Sequence, residues 1–205
     1  MTPINRVLEF VERFTLQGIA QELLEFECDK LLQRGLKWRE VEEAVPVTSL
    51  PQTPSAVIDL LARICAYVAR ATDRHEKAVE FHFDAASLLI GRFDRLSQSR
   101  AVYHCQQGRW GFRPTHPVHG GFSVQEANAR MNLADLGADP QGNLTAAIDL
   151  CGGAAKTFDR GSEAYGKALA GDGTARVMLS HLGIDPLDNL REAVQLYDRA
   201  VRRFS

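Results

Sequence analysis

His104 and Cys105 stand side by side, and His116 and His119 follow around a proline. This is the densest concentration of ligating and nucleophilic side chains in the 205-residue chain. Imidazole and thiolate are the donors a zinc-like divalent metal takes. His104, Cys105, His116 and His119 are therefore candidate metal ligands, provided the backbone at Pro117 and Gly120-Gly121 curls to gather them. The spacing matches no standard zinc signature. Without a metal, the same stretch offers an acid/base group, with His119 the candidate. Activation of a Cys105 thiolate by His104 is disfavoured, because neighbours on a strand point to opposite faces.

His75 and His82 are the other catalytic candidates. Both interrupt an apolar stripe and are expected to face the interior, where an imidazole either transfers protons or sits neutral against a carbonyl. Seven residues of helix separate them by about 10.5 Å, too far for one ion to bind both from the same helix. No Glu-x-x-His tetrapeptide occurs, which removes a di-iron bundle.

Arg109, Trp110, Phe112 and Arg113 suit ligand binding. A guanidinium clamps carboxylate or phosphate while the rings cover an apolar body; the same residues could equally dock a protein partner. Tyr165 joins this set from a stripe of Leu144, Ile148, Cys151, Ala155, Phe158, Ser162 and Leu169. The glycines beside that stripe suggest close approach by a backbone or a ligand.

These groups must be positioned by helices. Thr2-Pro3 reads as a helix start, with Val7, Leu8, Val11 and Phe14 at helical spacing. A second helix ends at Gly35, a short piece runs through Val41, and 45–54 is a proline-rich connector. From Thr53-Pro54, apolar steps of three and four continue to Phe93, predicting one long helix over 54–97 or two with a kink near Thr72-Asp73. Residues 98–122 read as a loop insertion with a small hairpin of two short strands. Helices resume at Ser123, where Ser-Val-Gln-Glu126 fits a capping box, and close at Gly137. Gly171-Asp172-Gly173 reads as a break, Thr174 as the start of a short helix to Gly183, and Asp185-Pro186 as the cap of the last helix, which is expected to carry Leu187, Leu190, Val194, Tyr197, Val201 and Phe204 inward. The expected fold is an all-α bundle of seven to nine helices in one domain, 1–205.

Composition excludes several functions. Twenty-four basic against 26 acidic residues leave a net charge of -2, without the cationic surplus that phosphate-backbone binding needs, so no nucleic acid is expected as a partner. Cys28, Cys65, Cys105 and Cys151 form no C-x-x-C pair, which argues against a zinc ribbon, a thioredoxin-type site or a disulfide scaffold. No run reaches the ~18 apolar residues of a spanning helix and the first residues lack a leader pattern, so a membrane is not expected and the predicted address is cytoplasmic. Phosphate-loop, dinucleotide, zinc-protease, esterase and EF-hand patterns are absent.

Two partial resemblances remain. Arg70-x4-His75 and Arg176-x4-His181 resemble the arginine/histidine spacing of the HEPN ribonucleases, but only at those residues, and five helical positions set the two side chains about 140° apart. Ala193-x3-Tyr197-x2-Ala200 is similar to the second helix of a tetratricopeptide unit, and Phe93-Asp94-Arg95, Phe158-Asp159-Arg160 and Tyr197-Asp198-Arg199 hint at repetition, but no 34-residue period supports it.

The expected function is a small-molecule pocket between helices and under the 98–122 loop, in a binding or a catalytic version. The catalytic version uses His75, His82 and His119. The alternative is a non-enzymatic interaction or regulatory protein docking a protein partner through its aromatic loop. A homodimer is compatible with the length of the apolar stripes, as is their burial within one chain.

Overall fold

The computed structural model describes residues 59, 62, 63, 66, 69, 70 and 75–202. The helices expected before residue 45, the 45–54 connector and the kink near Thr72-Asp73 lie outside the described residues. Two compact units divide the chain after Leu89.

In the first unit the described residues are helical. Ala62, Ala66 and Ala69 are buried, and Arg63 pairs with Asp59 at 2.8 Å. Helix α1, His75–Ile90, buries Ala78, His82, Ala85, Ala86 and Leu89; His82, Ala86 and Leu89 lie on the expected apolar row, whereas His75, expected to face the interior, is exposed at the first turn.

The second unit is a run of helices, each packed against the next: α2 Arg95–Arg109, α3 Pro117–Asp135, α4 Pro140–Ala155, α5 Glu163–His181 and α6 Pro186–Val201. There is no strand among the described residues, so the all-α class holds; six helices are seen there, against seven to nine expected for the whole chain. Ala127, Met131, Leu144, Ala147, Cys151, Ala175 and Leu179 form a core between α3, α4 and α5.

Four boundaries differ from expectation, each for a local reason. The long 54–97 helix ends at Ile90. Asp94 starts a new one by accepting from Ser97 N at 2.9 Å, and buried Gln98 secures the turn by donating to Ile90 O at 3.1 Å and to Arg92 O. The three-and-four spacing resumes across this turn, which hides the break. The 98–122 hairpin is absent, because α2 runs through it to Arg109. Gly108 lies in the last turn of this helix, where a Cβ would stand 2.2 Å from the nearest atom of the Phe122 ring. Ser123 is no cap: α3 starts six residues earlier with Pro117 in its first turn, capped by His116, and Ser123 Oγ donates back to His119 O at 2.9 Å. Gly171 and Gly173 lie inside α5, where a Cβ would stand 2.8 Å from Cys151 Sγ and 3.1 Å from the Tyr197 ring; the actual break falls at 156–162. Glycine here serves close packing rather than chain reversal.

The packing reveals a period that a 34-residue template misses. Leu136-Gly137-Ala138-Asp139-Pro140 and Leu182-Gly183-Ile184-Asp185-Pro186 stand 46 residues apart. Both close a helix with a left-handed glycine, φ 75° at Gly137 and 77° at Gly183, and open the next with an aspartate at φ 39° ahead of proline. Such a glycine lets the last carbonyls of the helix be satisfied: Ala138 N donates to Leu133 O at 2.9 Å, and Ile184 N to Leu179 O at 3.1 Å. The α3–α4 and α5–α6 hairpins are thus two copies of one unit. Helix α2 matches the second helix of such a unit, since Ala101, Ala147 and Ala193 are all buried at the same spacing, as are Gly108, Ala154 and Ala200.

Candidate functional site

Among the described residues of the second unit, a polar cluster centres on Glu126, buried on α3. Its carboxylate takes Arg109 Nη2 at 2.7 Å, Arg130 Nη2 at 2.8 Å and Nε at 2.9 Å, and Gln106 Nε2 at 3.2 Å. Arg130 extends to Asn143 Oδ1 at 3.2 Å, and Asn143 Nδ2 donates to Ala138 O at 2.6 Å. One chain of bonds joins α2, α3, the α3–α4 turn and α4. Each buried charge meets opposite charge or a hydrogen bond, the condition for tolerating it in an interior.

The second hairpin repeats the arrangement. Arg176 Nε donates to Asp172 at 2.8 Å, Arg176 Nη1 reaches Asn189 Oδ1 at 3.5 Å, and Asn189 Nδ2 donates to Ile184 O at 2.8 Å. Here Glu192 of α6 also pairs with Arg176. Burial pushes the Asp172 carboxyl above its ordinary range, against the pull of Arg176. An acid, an arginine one turn later and an asparagine beyond the next turn form a clasp that locks each hairpin.

The sequence-derived site residues fall into separate places. His75 is exposed at the start of α1, while His82 is buried on the same helix with Arg70 Nη2 at 3.4 Å from its Nε2. His104 and Cys105 are wholly buried in α2; the His104 ring meets Tyr103 edge-on, and burial drives the Cys105 thiol far up, away from the thiolate a nucleophile or ligand needs. His116 is exposed, and its Nδ1 accepts from Val118 N at 3.2 Å as the cap of α3. Among the described residues no group of three His, Cys, Asp or Glu is placed to hold a metal ion, so His116 and His119 are not joined by His104 or Cys105 as a third ligand.

His119 and Arg109 do come together. Ser123 Oγ lies 3.4 Å from His119 Nδ1 and 3.5 Å from Arg109 Nη1, while Arg109 itself is committed to Glu126. Burial, reinforced by the Arg109 charge and opposed by Glu126, holds the His119 imidazole below its ordinary pKa. Trp110 and Arg113 are exposed in the α2–α3 turn, and Phe112 stacks at a tilt on His116 with ring centres 5.0 Å apart. Tyr165 occupies on α5 the position of His119 on α3, and its hydroxyl accepts from Arg199 Nη2 at 2.8 Å. The HEPN-like spacing finds no paired geometry: Arg70 approaches His82 and Arg176 belongs to the clasp, while His75 and His181 are exposed.

Sequence reasoning missed Arg130, Asn143, Asp172 and Asn189, and assigned Glu126 to a helix cap. Aligning the chain with itself at an offset of 46 places Glu126 on Asp172, Arg130 on Arg176 and Asn143 on Asn189; this was the available signal.

No family model, no curated protein sequence and no solved structure matches this chain.

Proposed function

We propose that this chain is a non-catalytic helical scaffold that holds a protein partner on the outer face of α6. The carrying observation is an apolar row of Leu187, Leu190, Val194 and Val201, exposed at 75 %, 42 %, 67 % and 62 %. On α4, the equivalent Leu144 is 1 % exposed and Ile148 is packed against the core, in a helix covered by α5. The α6 row occupies the place where the preceding repeat receives its next helix. A contiguous apolar strip of this kind marks a contact surface.

The groups a catalytic reading would use have other work that supports this choice. Arg109 serves the clasp, His116 caps α3, and the Cys105 thiol is held protonated. This reading keeps the protein-docking alternative but moves the docking surface from the Trp110 turn to α6.

The test is a benzophenone amino acid placed at position 194, with position 195 on another exposed face of α6 as control. Irradiation in cells is expected to give a discrete protein adduct from 194 and none from 195. No adduct at 194, or equal labelling at both positions, overturns the scaffold reading.

A further inference from the structure

The occupant of the α6 face can be specified from its chemistry. We infer that it is α6 of a second copy of this chain, crossing antiparallel, and this inference rests on the scaffold reading above.

Three observations carry it. First, the row is more apolar than its repeat counterpart demands: Leu187 stands where α4 has the exposed Gln141, and Val201 where α4 has Ala155. A repeat face turned only to water would carry polar residues here, as capping repeats do. Second, the steps 187, 190, 194 and 201 follow a coiled-coil seam, with position 197 the one seam site turned inward, where the Tyr197 ring lies over Gly173 and its hydroxyl bonds Thr174 at 3.0 Å. Large side chains on such a row suit another row of large side chains. The small-residue face that α5 offers α4, with Gly171 against Cys151, belongs to a closer approach.

Third, the flanking charges are self-complementary. Arg191 and Asp198 are seven residues apart, hence two turns along the same flank of the row, and both are exposed. Antiparallel pairing sets like flanks face to face, so Arg191 meets the partner's Asp198 while Asp198 meets the partner's Arg191. A two-fold contact of this type is closed, with each residue pair occurring twice. Among the described residues of one copy, Arg191 is engaged by exposed Asp188 at 2.8 Å and Asp198 by exposed Arg202 at 2.7 Å, surface pairs that exchange at little cost.

Sedimentation velocity on the purified full chain tests the inference, with helicity and melting of each variant checked by circular dichroism. The wild type is expected to sediment as a dimer in the micromolar range and Val194→Asp as a folded monomer, since Val194 is exposed within one copy. Arg191→Asp places acid against acid at both ends of the contact and is expected to weaken the dimer about tenfold or more. The double variant Arg191→Asp/Asp198→Arg is expected to restore it. A wild type monomeric at 100 micromolar or so, a dimer indifferent to Val194→Asp, or a charge swap without rescue overturns the inference. If the position-194 adduct contains a different protein while the purified chain is a monomer, the second copy is excluded and the scaffold reading stands.

Discussion

Arg176 repeats Arg130 at a distance of 46 residues, and each donates its Nε to an acid one turn earlier, at 2.8 Å to Asp172 and 2.9 Å to Glu126. The two clasps share a frame but differ in charge. Glu126 serves two arginines from α2 and α3, whereas Asp172 has Arg176, which Glu192 also engages. Glu126 is thus the point where α2 and α3 converge on one buried carboxylate.

That difference predicts unequal consequences of removing the acid. Glu126→Ala leaves two partly buried guanidinium groups without their counter-charge and is expected to cost about 3–5 kcal/mol, the range for breaking one side of a buried pair. Asp172→Asn keeps a side-chain oxygen for Arg176 and removes a charge that burial disfavours, so its cost is expected to stay under about 1 kcal/mol. The native Asp172 pKa lies above the unfolded one; its ionised form therefore costs stability at neutral pH, and this cost is relieved as pH falls through the native value. Urea denaturation of both variants measures the contrast, and equal losses would remove the distinction.

Gly108→Ala is a test of close packing against helix propensity. Alanine favours a helix over glycine by about 1 kcal/mol in isolation. In α2, however, the new methyl would occupy the space of the Phe122 ring, and Phe122 is itself buried. Net destabilisation of about 1–3 kcal/mol is expected, with Phe122→Leu in the same chain recovering part of it. A stabilised Gly108→Ala would mean that α2 and α3 are not held at this distance.

The same glycine shows why some of the fold was legible in the sequence and some was not. Helical periodicity marks a row but not what covers it: the row through α4 was readable and that through α1 in part, and the Asp185-Pro186 start of α6 could be placed from its own residues, whereas Leu187, Leu190, Val194 and Val201 of α6, expected to face inward, are exposed. Glycine can end a helix or admit a neighbouring side chain, and nothing local separates those roles. Gly108, Gly171 and Gly173 do the second, which turned α2 into an expected hairpin and split α5. The site was less legible still. His104 and Cys105 look reactive because of their types, but their burial comes from α2 packing on α3. Glu126 and Arg130 resemble an ordinary surface pair until the 46-residue offset places them on Asp172 and Arg176.

Cys105 and Cys151, both buried, are expected to be inert in the native protein. Burial drives the Cys105 thiol far up and pushes Cys151 up to about 12, with the carboxylates of Glu126 and Asp172 adding to the rise. Only the thiolate reacts readily with a disulfide reagent. In a Cys28→Ser/Cys65→Ser background, dithionitrobenzoate at pH 8 is expected to modify neither thiol over minutes and both after denaturation. Fast native labelling at either position would show that α2 or α4 opens readily.

His119 supplies a pH dependence with a defined sign. Burial first, then the Arg109 charge, keep its native pKa below the ordinary 6.5, against the opposing influence of Glu126. The folded chain therefore holds His119 neutral at a pH where the unfolded chain already takes up a proton. Its favourable contribution is complete above the unfolded pKa of about 6.5 and is lost as pH falls toward the native value. His119→Gln cannot take up that proton. Denaturant midpoints at pH 7.5, 6.5 and 5.5 are expected to show the wild type losing stability relative to His119→Gln at the two lower values. A difference independent of pH would show that the imidazole is not shifted by folding, and one that grows in favour of the wild type on acidification would show that it is already charged between Arg109 and Glu126; either result overturns the expectation.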